Sequence, residues 1–128
     1  MSSKLLDIED ARLADVVETL SAEAIDRLPF GCIRLDAGGL VTLYSRRERE
    51  QSGYRGDAMG QHFFAKVAPC MDNPSFRGRL EAARKAGRLN IRFDYISDLP
   101  SGKRDVSLQV RLMSASDGGV WVFLQHED

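Results

Sequence analysis

A tyrosine, a glutamate and a serine follow one another at intervals of four residues, as Tyr44, Glu48 and Ser52. Side chains four apart lie on one face of a helix, so one helical turn would bring the phenol of Tyr44 beside the carboxyl of Glu48. If both groups point inward, they form a proton-donating pair. The alternative is a solvated, charged turn in which Glu48 pairs with neighbouring arginines. The spacing by itself leaves both interpretations open.

Cys70 is the second group that could do chemistry. It follows a mostly apolar run, residues 63–69, and precedes a predicted helix start, where backbone dipoles would favour the nucleophilic thiolate. The alternative is that Cys70 is buried packing. His62 could act as its general base in a thiol enzyme, but no third orienting group stands at an interpretable spacing. We therefore expect no enzyme, and we expect Cys32, inside a strand pattern, to be core.

The elements that must position these residues follow from hydrophobic periodicity and from capping residues. Residues 1–27 are acidic and helix-prone, and Ser21 is placed to cap a second short helix. Residues 45–74 predict short helical turns, and residues 75–86 predict a longer helix capped by Ser75 and stopped by Gly87. Apolar residues recur at strand-like spacing in five segments: 32–35, 40–44, 89–95, 106–112 and 120–124.

This order predicts an α+β fold: a five-stranded antiparallel sheet flanked by short helices, with an N-terminal helical cap. We expect one domain, in which residues 1–27 form the cap and residues 28–128 form the core. The long connection between the second and third strands would enclose space beside the sheet. Such space is where α+β sensor domains often hold a ligand.

Composition narrows the class of partner. The chain has 128 residues and a formal net charge of −1, so no overall charge directs it to nucleic acid or to an acidic membrane. It contains neither a run of about 18 apolar residues nor a secretory signal, so we expect a cytoplasmic protein without a membrane span. Two cysteines are too few for a disulfide framework or a zinc cage, and we expect no metal.

Four stretches of the chain carry a family resemblance. These are Leu-Pro-Phe-Gly at 28–31, Gly-Gln-His-Phe-Phe at 60–64, Val-Ala-Pro-Cys at 67–70 and Trp-Val-Phe at 121–123. Together they resemble the photoactive yellow protein family of PAS-fold blue-light photoreceptors. The resemblance runs from about residue 28 to residue 124, and the segment from 60 to 76 is its most specific part.

The resemblance implies a chromophore and the residues that hold it. Cys70 matches the cysteine that carries p-coumaric acid (4-hydroxycinnamic acid) as a thioester. Tyr44 and Glu48 match the pair that binds its phenolate, and Ser52 stands in the same hydrogen-bonding network. The family's gating arginine falls near Tyr54 and Arg55, and the sequence does not decide between them. The remaining pocket residues implied are Phe63, Pro69 and Tyr95.

The resemblance also implies how such a protein signals. Light would isomerise the chromophore from trans to cis, Glu48 would give up its proton, and the N-terminal cap would be released. The partner would be an unknown downstream signalling protein or a fused effector domain, with the chain a monomer or weak dimer. The alternative is a PAS module that senses a ligand or binds a protein without photochemistry. Arg49 beside Glu48 and the altered gate favour that alternative.

Overall fold

A computed structural model of the chain describes residues 6–87 and 89–127. The helices and strands come in the order that the periodicity predicts. In chain order they are α1 (Leu13–Val17), α2 (Ala22–Asp26), β1 (Gly31–Leu35), β2 (Val41–Tyr44), α3 (Arg46–Ser52), a π-helical turn (Phe63–Val67), a 3-10 turn (Pro69–Met71), α4 (Arg77–Lys85), β3 (Asn90–Ser97), β4 (Val106–Ser114) and β5 (Val120–His126).

The strands form one five-stranded sheet in the order β2-β1-β5-β4-β3, and every neighbouring pair is antiparallel. The central strand, β5, pairs with β1, so that Gly31 lies opposite Leu124 and Ile33 opposite Val122. The chain leaves the sheet after β2 and returns at β3 on the opposite edge. The helical middle segment therefore has to cross one face of the sheet, as predicted. The predicted α+β architecture, a five-stranded antiparallel sheet flanked by short helices, is confirmed.

Successive side chains of β5 point to opposite faces of the sheet, and the hydrophobic core is divided between these two faces. On β5, Val122 and Leu124 point into the larger cluster, which the helical middle segment covers. Trp121 and Phe123 point to the other face, where residues of the N-terminal segment such as Leu13 pack against them. One strand thus contacts both layers because successive side chains alternate across a sheet.

Two polar contacts hold the N-terminal segment against β4 and α3. The buried guanidinium of Arg111 on β4 donates a 2.9 Å hydrogen bond to the backbone carbonyl of Ile8 and bonds the side chain of Asn90. The carboxylate of Asp26, the last residue of α2, accepts the backbone N–H of Arg46 at 2.8 Å. Since Arg46 is the first residue of α3, α2 closes the amino end of α3. The boundary of the cap after residue 27 stays a prediction.

Single residues set the ends of several elements, and two of them, Ser21 and Gly87, are the ones that the sequence predicts. Ser21 caps α2 by accepting the N–H of Ala24 at 3.1 Å. The β1–β2 turn is closed by Asp36, whose carboxylate accepts the N–H groups of Gly38 and Leu40. Gly87 has a φ of 80° just after α4, the left-handed conformation that ends helices.

The predicted start of the long helix is wrong. α4 begins at Arg77 rather than Ser75, and its N-cap, Phe76, makes no capping bond with its side chain. Asn73 does the capping instead: its side-chain oxygen accepts the N–H groups of Ser75 and Phe76 at 2.9 and 3.0 Å. An asparagine side chain competes well for such N–H groups, so Asn73 closes this turn two residues before Ser75.

Candidate functional site

A narrow cavity lies between the sheet and the helical middle segment. It is mostly apolar, and its polar lining groups come from four places in the chain: the end of β2, α3, the 3-10 turn and the end of β5. The lining residues are Tyr44, Glu48, Ser52, Phe63, Val67, Ala68, Cys70, Met71, Leu99, Pro100, Leu108, Leu124 and His126.

Glu48 is a buried carboxyl in the wall of this cavity. It sits in the first turn of α3, and Ser45 accepts its backbone N–H at 3.3 Å as the N-cap of that helix. The Oε1 atom of Glu48 is buried and has no hydrogen-bond partner among residues 6–87 and 89–127. Burial raises the pKa of Glu48 to about 8, because a carboxylate loses its hydration there. At neutral pH the side chain is therefore mainly a neutral acid that can donate a hydrogen bond.

Tyr44 and Ser52 form the second polar group of the cavity. Their hydroxyl groups share a hydrogen bond of 2.9 Å, and Ser52 is buried. Burial, followed by the nearby charge of Glu48, raises the pKa of Tyr44 above its ordinary value, although the hydrogen bond with Ser52 opposes this. Tyr44 thus remains a phenol at neutral pH and retains a proton to donate.

Tyr44 and Glu48 do not lie on one helical turn, which is the arrangement that their spacing predicts. Tyr44 ends β2, whereas α3 begins only at Arg46, so the two side chains converge across a strand-to-helix junction. Ser45 holds this junction: its N–H bonds the carbonyl of Cys32 at 2.9 Å, and its hydroxyl accepts the N–H of Cys32 at 3.0 Å. The charged turn that would leave Glu48 in solvent is excluded, because Glu48 is 4% exposed.

Cys70 presents its thiol to the same cavity from the 3-10 turn. The hydroxyl of Ser97 lies 3.3 Å from the Sγ atom of Cys70 and can donate to it. The backbone carbonyl of Cys70 accepts hydrogen bonds from Tyr95 at 2.9 Å and from Asn73 at 3.0 Å. These bonds fix the turn on both sides of the sulfur. The turn precedes α4 by several residues, so the thiol is placed by this 3-10 turn and not by the start of a long helix.

The other predicted site residues differ in how they relate to the cavity. Phe63 lines the cavity, whereas Tyr95 supports the carbonyl of Cys70 from behind. Pro69 opens the 3-10 turn but is itself exposed. Of the two gate candidates, Tyr54 is half-buried, with its ring edge-on to Tyr44 at 6.5 Å, and Arg55 is exposed.

Several residues of the site carried no clear sequence signal. Ser97 and Asn73 hold the sulfur and the carbonyl of Cys70, and nothing in their local pattern distinguishes them from surface polar residues. The Asn73-Pro74 pair could have been recognised as a capping turn. Leu99, Leu108 and His126 reach the cavity from strands or loops distant in sequence, which periodicity cannot reveal.

The remaining reactive side chains have structural explanations. His62 caps the π-helical turn by accepting the N–H of Ala65 at 3.1 Å, and it lines a separate surface groove. Cys32 is fully buried in the cluster beneath the N-terminal helices, and burial raises the pKa of its thiol. Arg49 is exposed and does not offset the effect of burial on Glu48.

Within residues 6–87 and 89–127, no group of histidine, cysteine, aspartate and glutamate side chains is arranged to hold a metal ion. No helix in the same part of the chain is long and apolar enough to span a membrane.

Comparisons with known proteins agree with this architecture. No protein-family model matches the chain. The photoactive yellow protein of Rhodothalassium salexigens is 33% identical over 120 residues, which cover 93% of this chain and 91% of that relative. The photoactive yellow protein of Cereibacter sphaeroides is 29% identical over 116 residues, 88% of this chain and 92% of its own length.

Solved structures give the same result. The photoactive yellow protein domain from the sensor histidine kinase Ppr of Rhodospirillum centenum superimposes with a TM-score of 0.78 at 31% identity, covering 88% of this chain and 98% of that domain. A PAS domain of an HTR-like protein from Haloarcula marismortui, at 13% identity and a TM-score of 0.61, shares the fold alone. A five-stranded PAS sheet and an identity of one third over nearly the whole length place this chain in the photoactive yellow protein family.

Proposed function

We propose that this chain is a blue-light photoreceptor that carries p-coumaric acid as a thioester on Cys70. The observation that carries the proposal is one cavity lined by the Cys70 thiol, a buried Glu48 carboxyl whose Oε1 lacks a partner, and the Tyr44 hydroxyl. A thiol suits covalent attachment. An unpartnered buried carboxyl is costly on its own and suits a ligand that offers a hydrogen-bond acceptor.

The residues present fit a bound phenolic acid. When bound, such a group supplies a light-absorbing double bond and a phenolic oxygen. Glu48, neutral at pH 7, would donate a hydrogen bond to that oxygen, and Tyr44 would donate a second one while Ser52 fixes its orientation. Two donors in a water-poor site stabilise a phenolate, which otherwise is costly to bury.

Glu48 would also act as the proton source after illumination. Loss of its proton leaves a carboxylate in an apolar cavity, and the pKa of about 8 expresses how strongly this site disfavours that charge. The cost would be relieved by loosening the packing around α3. Because Asp26 of α2 caps α3, the N-terminal helices are the segment that this loosening would release.

The gate of the cavity is assigned to Tyr54 within this proposal. Its ring contacts Tyr44 edge-on, whereas the Arg55 side chain is exposed. Entry of the acid would require the loop that carries Leu99 and Pro100 to move, since both line the narrow cavity. Phe63 would pack on the bound ring, and Pro69 and Tyr95 would hold the turn that bears Cys70.

The proposal extends to the compartment, the oligomeric state and the partners of the photoreceptor. We expect a cytoplasmic, non-enzymatic sensor that acts as a monomer or weak dimer and contacts neither nucleic acid nor membrane. Its output would go to a separate signalling protein or to a fused effector. The similar domain from a sensor histidine kinase supports the second arrangement.

The test is reconstitution with an activated ester of p-coumaric acid, followed by intact mass and a visible spectrum. We expect one acyl mass per chain and a red-shifted, blue-absorbing band that bleaches reversibly under light. Cys70→Ala should abolish attachment, and Cys32→Ala, the matched control, should not. No attachment to folded protein would favour a PAS module that senses a ligand or binds a protein, and repeated hydrolysis of the ester would indicate a thiol enzyme. Attachment without the band would refute the phenolate site.

A further inference from the structure

Gly31, the first residue of β1, faces the carboxyl of Glu48. A Cβ atom built on Gly31 would overlap Oε1 of Glu48 and would lie 2.9 Å from its Cβ and 3.0 Å from its Cδ. Side-chain carbons do not approach other atoms so closely. Gly31 is not among the glycines with positive φ, so its backbone conformation is open to any residue. The glycine is required here for space.

We propose that Gly31 is a positioning residue that creates the recess holding the Glu48 carboxyl, and that this recess keeps Glu48 protonated. The role of that proton in light sensing rests on the proposed function above. The existence of the recess and its effect on the titration of Glu48 do not.

The carboxyl has little freedom to avoid an intruding methyl group. Ser45 bonds both the N–H of Glu48 and the backbone of Cys32, the residue next to Gly31, so α3 is fixed against β1. Gly31 itself is paired with Leu124 in the centre of the sheet. With both backbones held, a side chain at position 31 has to displace the carboxyl along the cavity. Burial is what raises the pKa of Glu48, so a less buried carboxyl would ionise at lower pH.

Four other titratable groups surround this carboxyl and have to be followed in the test. Cys32 lies on β1, and Tyr44 lies at the end of β2; the charge of Glu48 raises the pKa of both, after the larger effect of burial. Cys70 and His126 line the same cavity from the 3-10 turn and from β5.

The first experiment is a titration of Glu48 in protein without chromophore, by carboxyl carbon NMR with Glu48→Gln to assign the signal. In wild type the midpoint should lie near 8. In Gly31→Ala it should fall by at least one unit, a tenfold loss of proton affinity. Gly78→Ala is the matched control: a Cβ at Gly78 meets its nearest atom at 3.6 Å, so its titration should equal that of wild type. An unchanged midpoint in Gly31→Ala would overturn the proposal.

A second comparison covers the case in which Gly31→Ala does not fold. Glu48→Ala removes Cδ and Oε1, two of the three atoms that the new methyl group would meet. Gly31→Ala should therefore lower the urea midpoint much less in the Glu48→Ala background than in wild type. Equal losses, or failure of the double variant to fold, would show that the methyl group does not act through the Glu48 carboxyl, and would overturn the proposal. Neither experiment uses chromophore, so failed reconstitution would count against the proposed function alone.

Discussion

The indole Nε1–H of Trp121 donates a 2.8 Å hydrogen bond to the carboxylate of Glu18, although 103 residues separate the two in sequence. The same carboxylate accepts the backbone N–H of Ser116 at 3.0 Å and lies 3.7 Å from the guanidinium of Arg34. Burial would raise the pKa of Glu18, but these hydrogen bonds outweigh it and hold the pKa below the ordinary value. Glu18 therefore joins the N-terminal segment to the sheet while it is ionised.

Glu18→Ala should lower the free energy of unfolding at pH 7 by about 1–2 kcal/mol, since two N–H groups lose a charged acceptor. A carboxyl with a lowered pKa in the folded state stabilises above its ordinary pKa. That stabilisation disappears as the pH falls through the folded value. The difference from wild type in urea unfolding should thus shrink below about pH 4. Glu50→Ala, at an exposed site, should show no such difference, and a pH-independent loss in Glu18→Ala would contradict the ionic role.

Arg111→Lys should loosen the packing of the segment around Ile8 against the sheet. Lysine keeps the charge, but it cannot bond Ile8 and Asn90 together as the guanidinium does. We expect a loss of about 2 kcal/mol in unfolding free energy and faster amide hydrogen exchange near Ile8. The control is Arg104→Lys, whose ion pair with Asp98 is exposed and 3.8 Å long. Unchanged exchange near Ile8 would mean that apolar packing alone holds this segment.

Glu48→Gln should remove a pH dependence of stability. The folded pKa of Glu48, about 8, lies above its ordinary value of 4.5, so the stabilising effect of the proton is complete below 4.5 and is lost as the pH rises through 8. Relative to Glu48→Gln, the wild type should lose about 3 kcal/mol between pH 4 and pH 7. Urea unfolding of both proteins across this range measures it. If the unfolding free energies of the two proteins changed with pH in the same way, the Glu48 carboxyl would have to be exposed to solvent.

The hydrogen bond between Tyr44 and Ser52 can be measured by a double-mutant cycle. Tyr44→Phe and Ser52→Ala should each destabilise the protein, and the double variant should cost less than their sum by about 1 kcal/mol. Chemical denaturation of the four proteins gives the coupling. Additive losses would mean that each hydroxyl has an equally good alternative partner.

In reconstituted protein, Tyr44→Phe and Glu48→Gln should both shift the visible absorption band without preventing attachment to Cys70. Each removes or weakens one donor to the phenolic oxygen, and Glu48→Gln also removes the transferable proton. Glu48→Gln should therefore blunt the light-induced structural change, measured by circular dichroism. A wild-type spectrum in both variants would exclude the proposed pair.

Sequence reasoning succeeded where the signal is local and periodic. The five strands were predicted because apolar residues alternate along β3 and β4 and form short runs along β1, β2 and β5. Ser21 and Gly87 were recognised because each satisfies a backbone need of its own helix end. It failed where side chains compete for the same groups, as when Asn73 rather than Ser75 closes the turn before α4. It also could not place Ser97 beside Cys70, since β3 approaches the 3-10 turn only in the folded chain.

The contact between Asp26 and Arg46 bears on how the protein can be shortened. Removal of residues 1–27 would strip the apolar cover from Trp121, and it would also take away the group that closes the helix bearing Glu48. A shortened chain would therefore have an altered helix around Glu48 as well as an uncovered face of the sheet. Fusions and truncations of this chain are best cut upstream of α2, so that the carboxylate of Asp26 stays with the helix it completes.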